Sequence, residues 1–233
     1  VIFDPLRRSR GPAAPFDELR KRLVAEIVAE VRETSRYLGK VELDPRVVAA
    51  LAKVPREDFV PEAERRLAYD NAPLAIGHGQ TISQPYIVAI MTDMLEPRSD
   101  DVVLEVGTGS GYQAAVLAEL VARVYTIEYV VELAAAAQER LARLGYANVE
   151  VRTGDGWAGW PEHAPYDGII VTAAAPVVPA ALVAQLKPGR RLVVPVGEPG
   201  SYQELKIVEK NAAGEVTERA TLPVAFVPLL GGS

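Results

Sequence analysis

A short apolar run, Val102-Val103-Leu104-Glu105-Val106, leads directly into Gly107-Thr108-Gly109-Ser110-Gly111, and an Ala- and Leu-rich helical stretch follows through Leu120. Glycines at alternate positions between a strand and a helix let the backbone turn sharply and let a ligand approach it closely. The alternation continues downstream. Residues 123–128 read as a second strand, 131–144 as a helix stopped by Gly145, 149–152 as a third strand, and 166–171 as a fourth with Gly168 inside it. Residues 179–186 read as a helix, Lys187-Pro188-Gly189 as a turn, and 192–196 as a fifth strand. Strands and helices alternating at this spacing predict an α/β fold with a doubly wound, mostly parallel sheet. The tail differs: residues 204–209 and 217–227, joined by a turn around Asn211 to Gly214, read as a C-terminal antiparallel pair.

Upstream, Phe16, Leu19, Leu23, Ile27 and Val31 recur at helical spacing among Glu, Arg and Lys, which predicts an amphipathic helix with Gly39 as its stop. Asp44-Pro45 opens a second helix as N-cap and first-turn proline, and Pro55 closes it. Pro61 opens a third short helix through Leu67. The expected organisation is a flexible N-terminal arm over residues 1–15, an N-terminal helical cap over 16–95, and a ligand-binding core over 96–233 that forms one compact unit with the cap. The cap either covers a sheet edge or also shapes a cleft, and the pattern leaves both open.

Composition narrows the chemistry. The chain has no cysteine, which excludes disulfides, thiolate metal sites and cysteine nucleophiles, and fits a reducing cytoplasm. Its two histidines, His78 and His163, lie far apart, so no metal site is expected. No apolar run reaches the roughly 20 residues of a membrane span, and the start lacks a secretory signal pattern. A net charge of −6 lacks the basic footprint of a nucleic-acid binder.

In open parallel sheets, ligands bind outside the carboxyl ends of the strands, so the glycine loop points to a nucleotide-like ligand. The dinucleotide fingerprint is G-x-G-x-x-G; here the third glycine comes one position early and Tyr112 takes its place. That spacing weakens a nicotinamide reading without removing it. Glu105 would repel a pyrophosphate and suits a ligand bearing an ammonium group. S-adenosylmethionine has one, and has no phosphate. Glu128, ending the second strand, can accept from both hydroxyls of a ribose, which serves either ligand. Asp155, in Gly154-Asp155-Gly156 after the third strand, can accept from an adenine amino group, and the glycines leave room for the ring.

More restrictive segments lie elsewhere. They are Pro55-Arg56-Glu57-Asp58-Phe59-Val60-Pro61, Ala68-Tyr69-Asp70-Asn71-Ala72-Pro73-Leu74 and Ile76-Gly77-His78-Gly79-Gln80-Thr81-Ile82-Ser83-Gln84-Pro85. Downstream come Val171-Thr172-Ala173-Ala174-Ala175-Pro176, Leu186-Lys187-Pro188-Gly189 and Val194-Pro195-Val196-Gly197. With these and the glycine loop, the chain resembles the protein-L-isoaspartate O-methyltransferases over about residues 54–197. The Gly-x-Gly-Gln-Thr-Ile-Ser-x-Pro segment carries the resemblance, because the glycine loop is common to many methyltransferases. Arg190-Arg191 stands where Gly-Arg is commoner, and Tyr86 where some members have histidine.

The resemblance implies the seven-stranded S-adenosylmethionine-dependent methyltransferase fold, with S-adenosylhomocysteine as the cofactor product. It implies methyl transfer to the free carboxylate of L-isoaspartyl residues in damaged proteins and peptides, which initiates repair. The alternative is another small carboxylate or small molecule as acceptor. No nucleic acid, membrane or obligate protein partner is expected. Ser83 matches the family's active-site serine, with Gln80, Thr81 and Ile82 bordering cofactor and substrate. Glu105, Gly107, Thr108, Gly109, Ser110, Glu128, Asp155 and Gly156 are expected to hold the cofactor. Val227, Pro228 and Leu229, after Phe226, resemble the C-terminal segment near the substrate.

The chemistry is consistent with this composition. A carboxylate with a pKa of about 4 is already ionised at neutral pH, so the transfer needs no general base. The enzyme supplies proximity, alignment and exclusion of water. Ser83 is then a hydroxyl that orients the acceptor carboxylate; it also stands where it could cap the helix starting near Pro85. His78 could attract the substrate carboxylate or be a solvated loop residue. Trp157 and Trp160 are expected beside the adenine pocket or under the following loop.

Overall fold

The computed structural model describes residues 15–198 and 200–232; all but residue 15 of the expected arm lies outside them. Helix α1 (Phe16–Glu33) buries Leu23, Ile27 and Val31, one face at a spacing of four. Helix α2 (Ser35–Leu38) ends at Gly39. Helix α3 (Pro45–Lys53) starts as its sequence requires: the Asp44 carboxylate accepts from the Arg46 N–H at 2.8 Å, and Pro45 fills the first turn. Short 3₁₀ turns follow at Arg56–Asp58 and Glu62–Leu67.

The expected helical cap also contains a hairpin, β1 (Leu74–Gly77) and β2 (Gln80–Ile82), that the sequence reading did not anticipate. Gly77, His78 and Gly79 all have positive φ (92°, 52° and 70°), and this tight reversal brings the strands together. Helix α4 (Pro85–Met94) follows and is buried on nearly every residue. It packs against α1, α3 and the later helix α5 (Tyr112–Ala118). Its buried Asp93 is paired with the Lys40 amine and accepts from the Asp44 N–H at 2.7 Å.

The main sheet contains β3 (Val102–Val106), β4 (Arg123–Glu128), β5 (Val149–Thr153), β6 (Tyr166–Val171), β7 (Leu186–Val196), β8 (Gln203–Lys210) and β9 (Val216–Val224). Its order is β5-β4-β3-β6-β7-β8-β9. The first five are parallel neighbours, and β7-β8-β9 pair antiparallel. Helices α6 (Val131–Arg143) and α7 (Ala180–Ala184) complete the crossovers. This is the expected α/β architecture, a seven-stranded methyltransferase-type sheet. One local expectation is corrected: Lys187-Pro188-Gly189 does not separate helix from strand but lies within β7. The register against β6 shifts between Tyr166 and Gly168, so the Pro-Gly pair bulges the strand without ending it.

Successive residues of β3 face opposite layers. Val103 joins Ile27, Val47, Leu51, Ile90 and Leu117 in one apolar cluster. Leu104 joins Ile127, Ile169, Leu182 and Leu192 in the other. The cap therefore shares a core with one face of the sheet. Among the described residues, no helix is long and apolar enough to cross a membrane.

Candidate active site

Strand order reverses at β3, whose neighbours β4 and β6 leave in opposite directions, and a cleft opens there at the carboxyl ends of the strands. One part, about 490 Å³, is lined by Gln80, Thr81, Gly107, Gly109, Glu128, Tyr129, Gly156, Thr172 and Val227 to Leu230, among others. The other, about 310 Å³, is lined by Thr81, Ile82, Ser83, Glu105, Thr108, Ser110, Tyr112, Gln113 and Thr172, among others. They share Thr81, Gly107, Gly109 and Thr172 and so form one continuous cleft.

The glycine loop is held from three sides. The Gly107 N–H donates to the Ile127 carbonyl at 2.8 Å, and the Gly109 N–H donates to Glu128 Oε2 at 2.7 Å. Thr172 Oγ1 donates to the Gly107 carbonyl at 2.6 Å. Gly107 has φ +97°, and a Cβ there would stand 2.4 Å from Thr172 Oγ1, so only glycine fits. No motif in the sequence marks Thr172 by itself. Its place at the carboxyl end of β6 was the available signal.

Glu105 is fully buried, and burial pushes its carboxyl up to about 8. One oxygen accepts from Thr126 Oγ1 at 2.6 Å, and Thr126 in turn lies 2.6 Å from Thr108 Oγ1. The other oxygen, Oε1, has no partner among the described residues. A buried acceptor left open beside a cleft is the feature a cationic ligand group would satisfy. Glu128 spends one lone pair per oxygen on the Gly109 and Val130 N–H groups, leaving acceptor capacity for a diol. A Cβ at Gly156 would meet Val106 Cγ1 at 2.3 Å, so close packing against the end of β3 excludes a side chain at this position of the cleft wall. These three features fit S-adenosylmethionine at its ammonium, ribose and adenine ends in turn.

Asp155 is differently engaged. Its Oδ1 accepts from the Trp157 N–H at 2.9 Å and its Oδ2 from the Gly232 N–H at 2.8 Å. The carboxylate thus ties the 3₁₀ turn Gly156–Ala158 to the C-terminal segment. That segment is pinned across the cleft: the Ala174 N–H donates to the Val227 carbonyl and the Leu229 N–H to the Ala174 carbonyl, both at 2.8 Å. Val227, Pro228 and Leu229 line the wider part of the cleft, joined by Leu230. Trp157 lies beneath Gly232. Trp160 is buried edge-on to Tyr125 at 5.3 Å in the opposite core layer.

Ser83 follows β2 and lines the cleft. Helix α4 has no cap from its N-cap side chain; instead Asn71 Oδ1 accepts from the Tyr86 N–H at 3.0 Å. The capping role considered for Ser83 is thus filled by Asn71, whose Nδ2 donates to Glu30 at 2.7 Å. Gln80 and Thr81 line the wider part of the cleft, and Ile82, in the narrower part, is buried. His78 sits exposed at the hairpin tip and lines neither part. Among the described residues there is no cluster of three His, Cys, Asp or Glu suited to a metal.

A family model described as protein-L-isoaspartate(D-aspartate) O-methyltransferase matches residues 29–233. A protein-L-isoaspartate O-methyltransferase 2 of Syntrophobacter fumaroxidans is 60% identical over 218 residues, covering 94% of this chain and 88% of that one. Another, of Nitrosococcus oceani, is 58% identical over 211 residues, covering 91% and 96%. A solved protein-L-isoaspartate O-methyltransferase superposes with a TM-score of 0.77 at 28% identity, covering 91% of this chain and 66% of its own. A Plasmodium falciparum protein, solved with S-adenosyl-L-homocysteine, shares the fold at a TM-score of 0.74 and 22% identity, covering 93% and 99%. The glycine loop, the Ser83 segment and these matches together show that the chain belongs to the protein-L-isoaspartate(D-aspartate) O-methyltransferase family.

Proposed function

We propose that this protein transfers the methyl group of S-adenosylmethionine to the free carboxylate of L-isoaspartyl residues in proteins and peptides, initiating their repair. The observation that carries the reading is that Ser83 opens into the same cleft as Glu105 and the glycine loop. S-adenosylmethionine, when bound, supplies an electrophilic methyl on a sulfonium centre. Glu105 is the acceptor for its cationic methionine end, within the loop Gly107, Thr108, Gly109 and Ser110. Glu128 accepts from the ribose hydroxyls, and Asp155 with Gly156 forms the adenine end.

The acceptor carboxylate arrives ionised, so no side chain has to remove a proton. The Ser83 hydroxyl donates to one carboxylate oxygen and aims the other along the line of displacement. Ile82 on one side and Val227, Pro228 and Leu229 on the other exclude water. Gln80 and Thr81 border both ligands. His78, exposed at the hairpin tip and outside both parts of the cleft, is left as the solvated loop residue. The partners in this reading are isoaspartyl proteins and peptides rather than nucleic acid, and the location is cytoplasmic, supported by a chain without cysteine.

The test is methyl transfer from labelled S-adenosylmethionine to two peptides that differ only in carrying L-isoaspartate or L-aspartate. Labelling of the isoaspartyl peptide alone is expected. No labelling of either, with cofactor binding intact, would redirect the search to another small carboxylate or small molecule. Ser83→Ala should lower kcat about tenfold or more, the cost of losing an aligning group, while the dissociation constant for S-adenosylhomocysteine stays within about twofold. An unchanged kcat removes Ser83 from the mechanism.

A further inference from the structure

Arg56 is the largest fully buried side chain of the described residues. Its Nη2 donates to the Ser83 carbonyl at 2.8 Å and reaches the Ala72 carbonyl at 3.5 Å. Those carbonyls flank the hairpin: Ala72 precedes β1 and Ser83 follows β2. The guanidinium carbon lies 4.8 Å from the centre of the Tyr112 ring. Tyr112 is the first residue of α5, immediately after the glycine loop, and it lines the cleft. One side chain therefore touches both halves of the site, the strand end that carries Ser83 and the helix start that carries the loop.

The neighbouring acid does not neutralise it. Glu57 is taken by Arg20 at 3.1 Å and by the Tyr69 hydroxyl. Nε and Nη1 of Arg56 are buried and bond neither an acid nor a carbonyl among the described residues, while the Tyr112 side chain interacts favourably with the charge. Burying a guanidinium without an acid partner is costly, and a hairpin base needing only structural closure could be held by a neutral donor. A planar fork that bonds a carbonyl at its edge while stacking an aromatic ring on its face is specific to arginine. Arg56 lines neither part of the cleft.

We propose that Arg56 is a positioning residue for the transfer: it sets the placement of Ser83 relative to the cofactor loop by holding the Ser83 carbonyl while resting on Tyr112. This rests on the reading of Ser83 as the group that orients the acceptor carboxylate. The substitution to examine is Arg56→Lys, which keeps charge and burial but cannot bond and stack at once. With saturating cofactor and the isoaspartyl peptide as substrate, Arg56→Lys lowers kcat about tenfold, the scale of a misplaced reacting group, while the S-adenosylhomocysteine dissociation constant changes by less than about threefold.

A double-mutant cycle with Ser83→Ala separates positioning from general destabilisation. If Arg56 acts through Ser83, Arg56→Lys has little further effect on kcat in the Ser83→Ala protein, less than about twofold. Losses that multiply in the double variant overturn the proposal and leave the role of Ser83 standing. A Ser83→Ala protein with unchanged kcat overturns both. Should Arg56→Lys fail to fold, Arg56→Gln keeps a donor for the Ser83 carbonyl without the guanidinium face. The same coupling to Ser83 is expected of it, and its absence overturns the proposal equally.

Discussion

Glu105 sets the pH behaviour of the site because it is buried with one oxygen unpartnered. Its folded pKa, pushed up to about 8 first by burial, lies above the 4.5 of an ordinary glutamate carboxyl. The stability tied to its neutral form is therefore complete below the unfolded value and is lost as pH rises toward about 8. From about pH 6 to about pH 7.5 the loss is on the order of 2 kcal/mol at about 1.4 kcal/mol per unit. Glu105→Gln should flatten that part of the curve of unfolding midpoint against pH for the unliganded protein; an unaltered slope would assign the dependence elsewhere. A cationic ligand favours the ionised carboxyl, so binding near neutral pH should release a proton in wild type and not in Glu105→Gln, readable by calorimetry in buffers of different ionisation enthalpy. Asp155→Ala should raise the cofactor dissociation constant about tenfold, the worth of about 1.4 kcal/mol; an unchanged constant would sink the adenine assignment. The placement of Glu105, Glu128 and Asp155 at or just after strand ends was legible in sequence from the parallel α/β pattern. The hold of Asp155 on Gly232 was not, because a bond across 77 positions leaves no local pattern.

At the scale of elements, Ser83 is placed by what lies on either side of it. The hairpin β1–β2 delivers it from one side, and α4 starts two residues later on the other. Asn71 fixes that start by accepting from the Tyr86 N–H. Asn71→Ala should cost about 1 kcal/mol, the usual worth of a helix cap, or roughly 2–4 °C in the unfolding midpoint of a chain this size. It should also raise the peptide KM more than the cofactor dissociation constant, because α4 steadies the acceptor side of the cleft. Equal changes in both would mean that the cap serves stability alone. Long elements were legible and short ones were not. Helix α1 repeats its apolar face over 18 residues, enough for the period to emerge. Strands of four and three residues around Gly77-His78-Gly79 are too short for alternation to register. The Pro188-Gly189 pair carried turn chemistry, but β7 is paired on either side of it, at Leu186 with β6 and from Arg190 onward with β8, so the pair is a bulge within one strand.

For the whole molecule, the division at about residue 95 separates two sequence patterns, yet the apolar packing runs across it. Ile27, Val47, Leu51 and Ile90 from the first part lie in one cluster with Val103, Leu117, Val124 and Ile170 from the second. Two parts sharing a core cannot lose it separately, so the described chain should unfold in a single transition. Ile27, 1% exposed on α1, lies far in sequence from the glycine loop. Ile27→Ala should cost about 2–5 kcal/mol through the cavity it leaves, lowering the midpoint by roughly 2–4 °C per kcal/mol. S-adenosylhomocysteine at about a hundred times its dissociation constant should add about 2.7 kcal/mol by binding only the folded form. One perturbation acts on the cap and the other on the loop. If the core is continuous, both move the same calorimetric peak, and their effects on free energy add because the sites are distant. If the cap unfolded alone, Ile27→Ala would create an early transition that the ligand leaves in place. That second pattern would also detach Ser83 from the sheet at moderate temperature, and kcat would then fall with heating before the ligand-stabilised core melts.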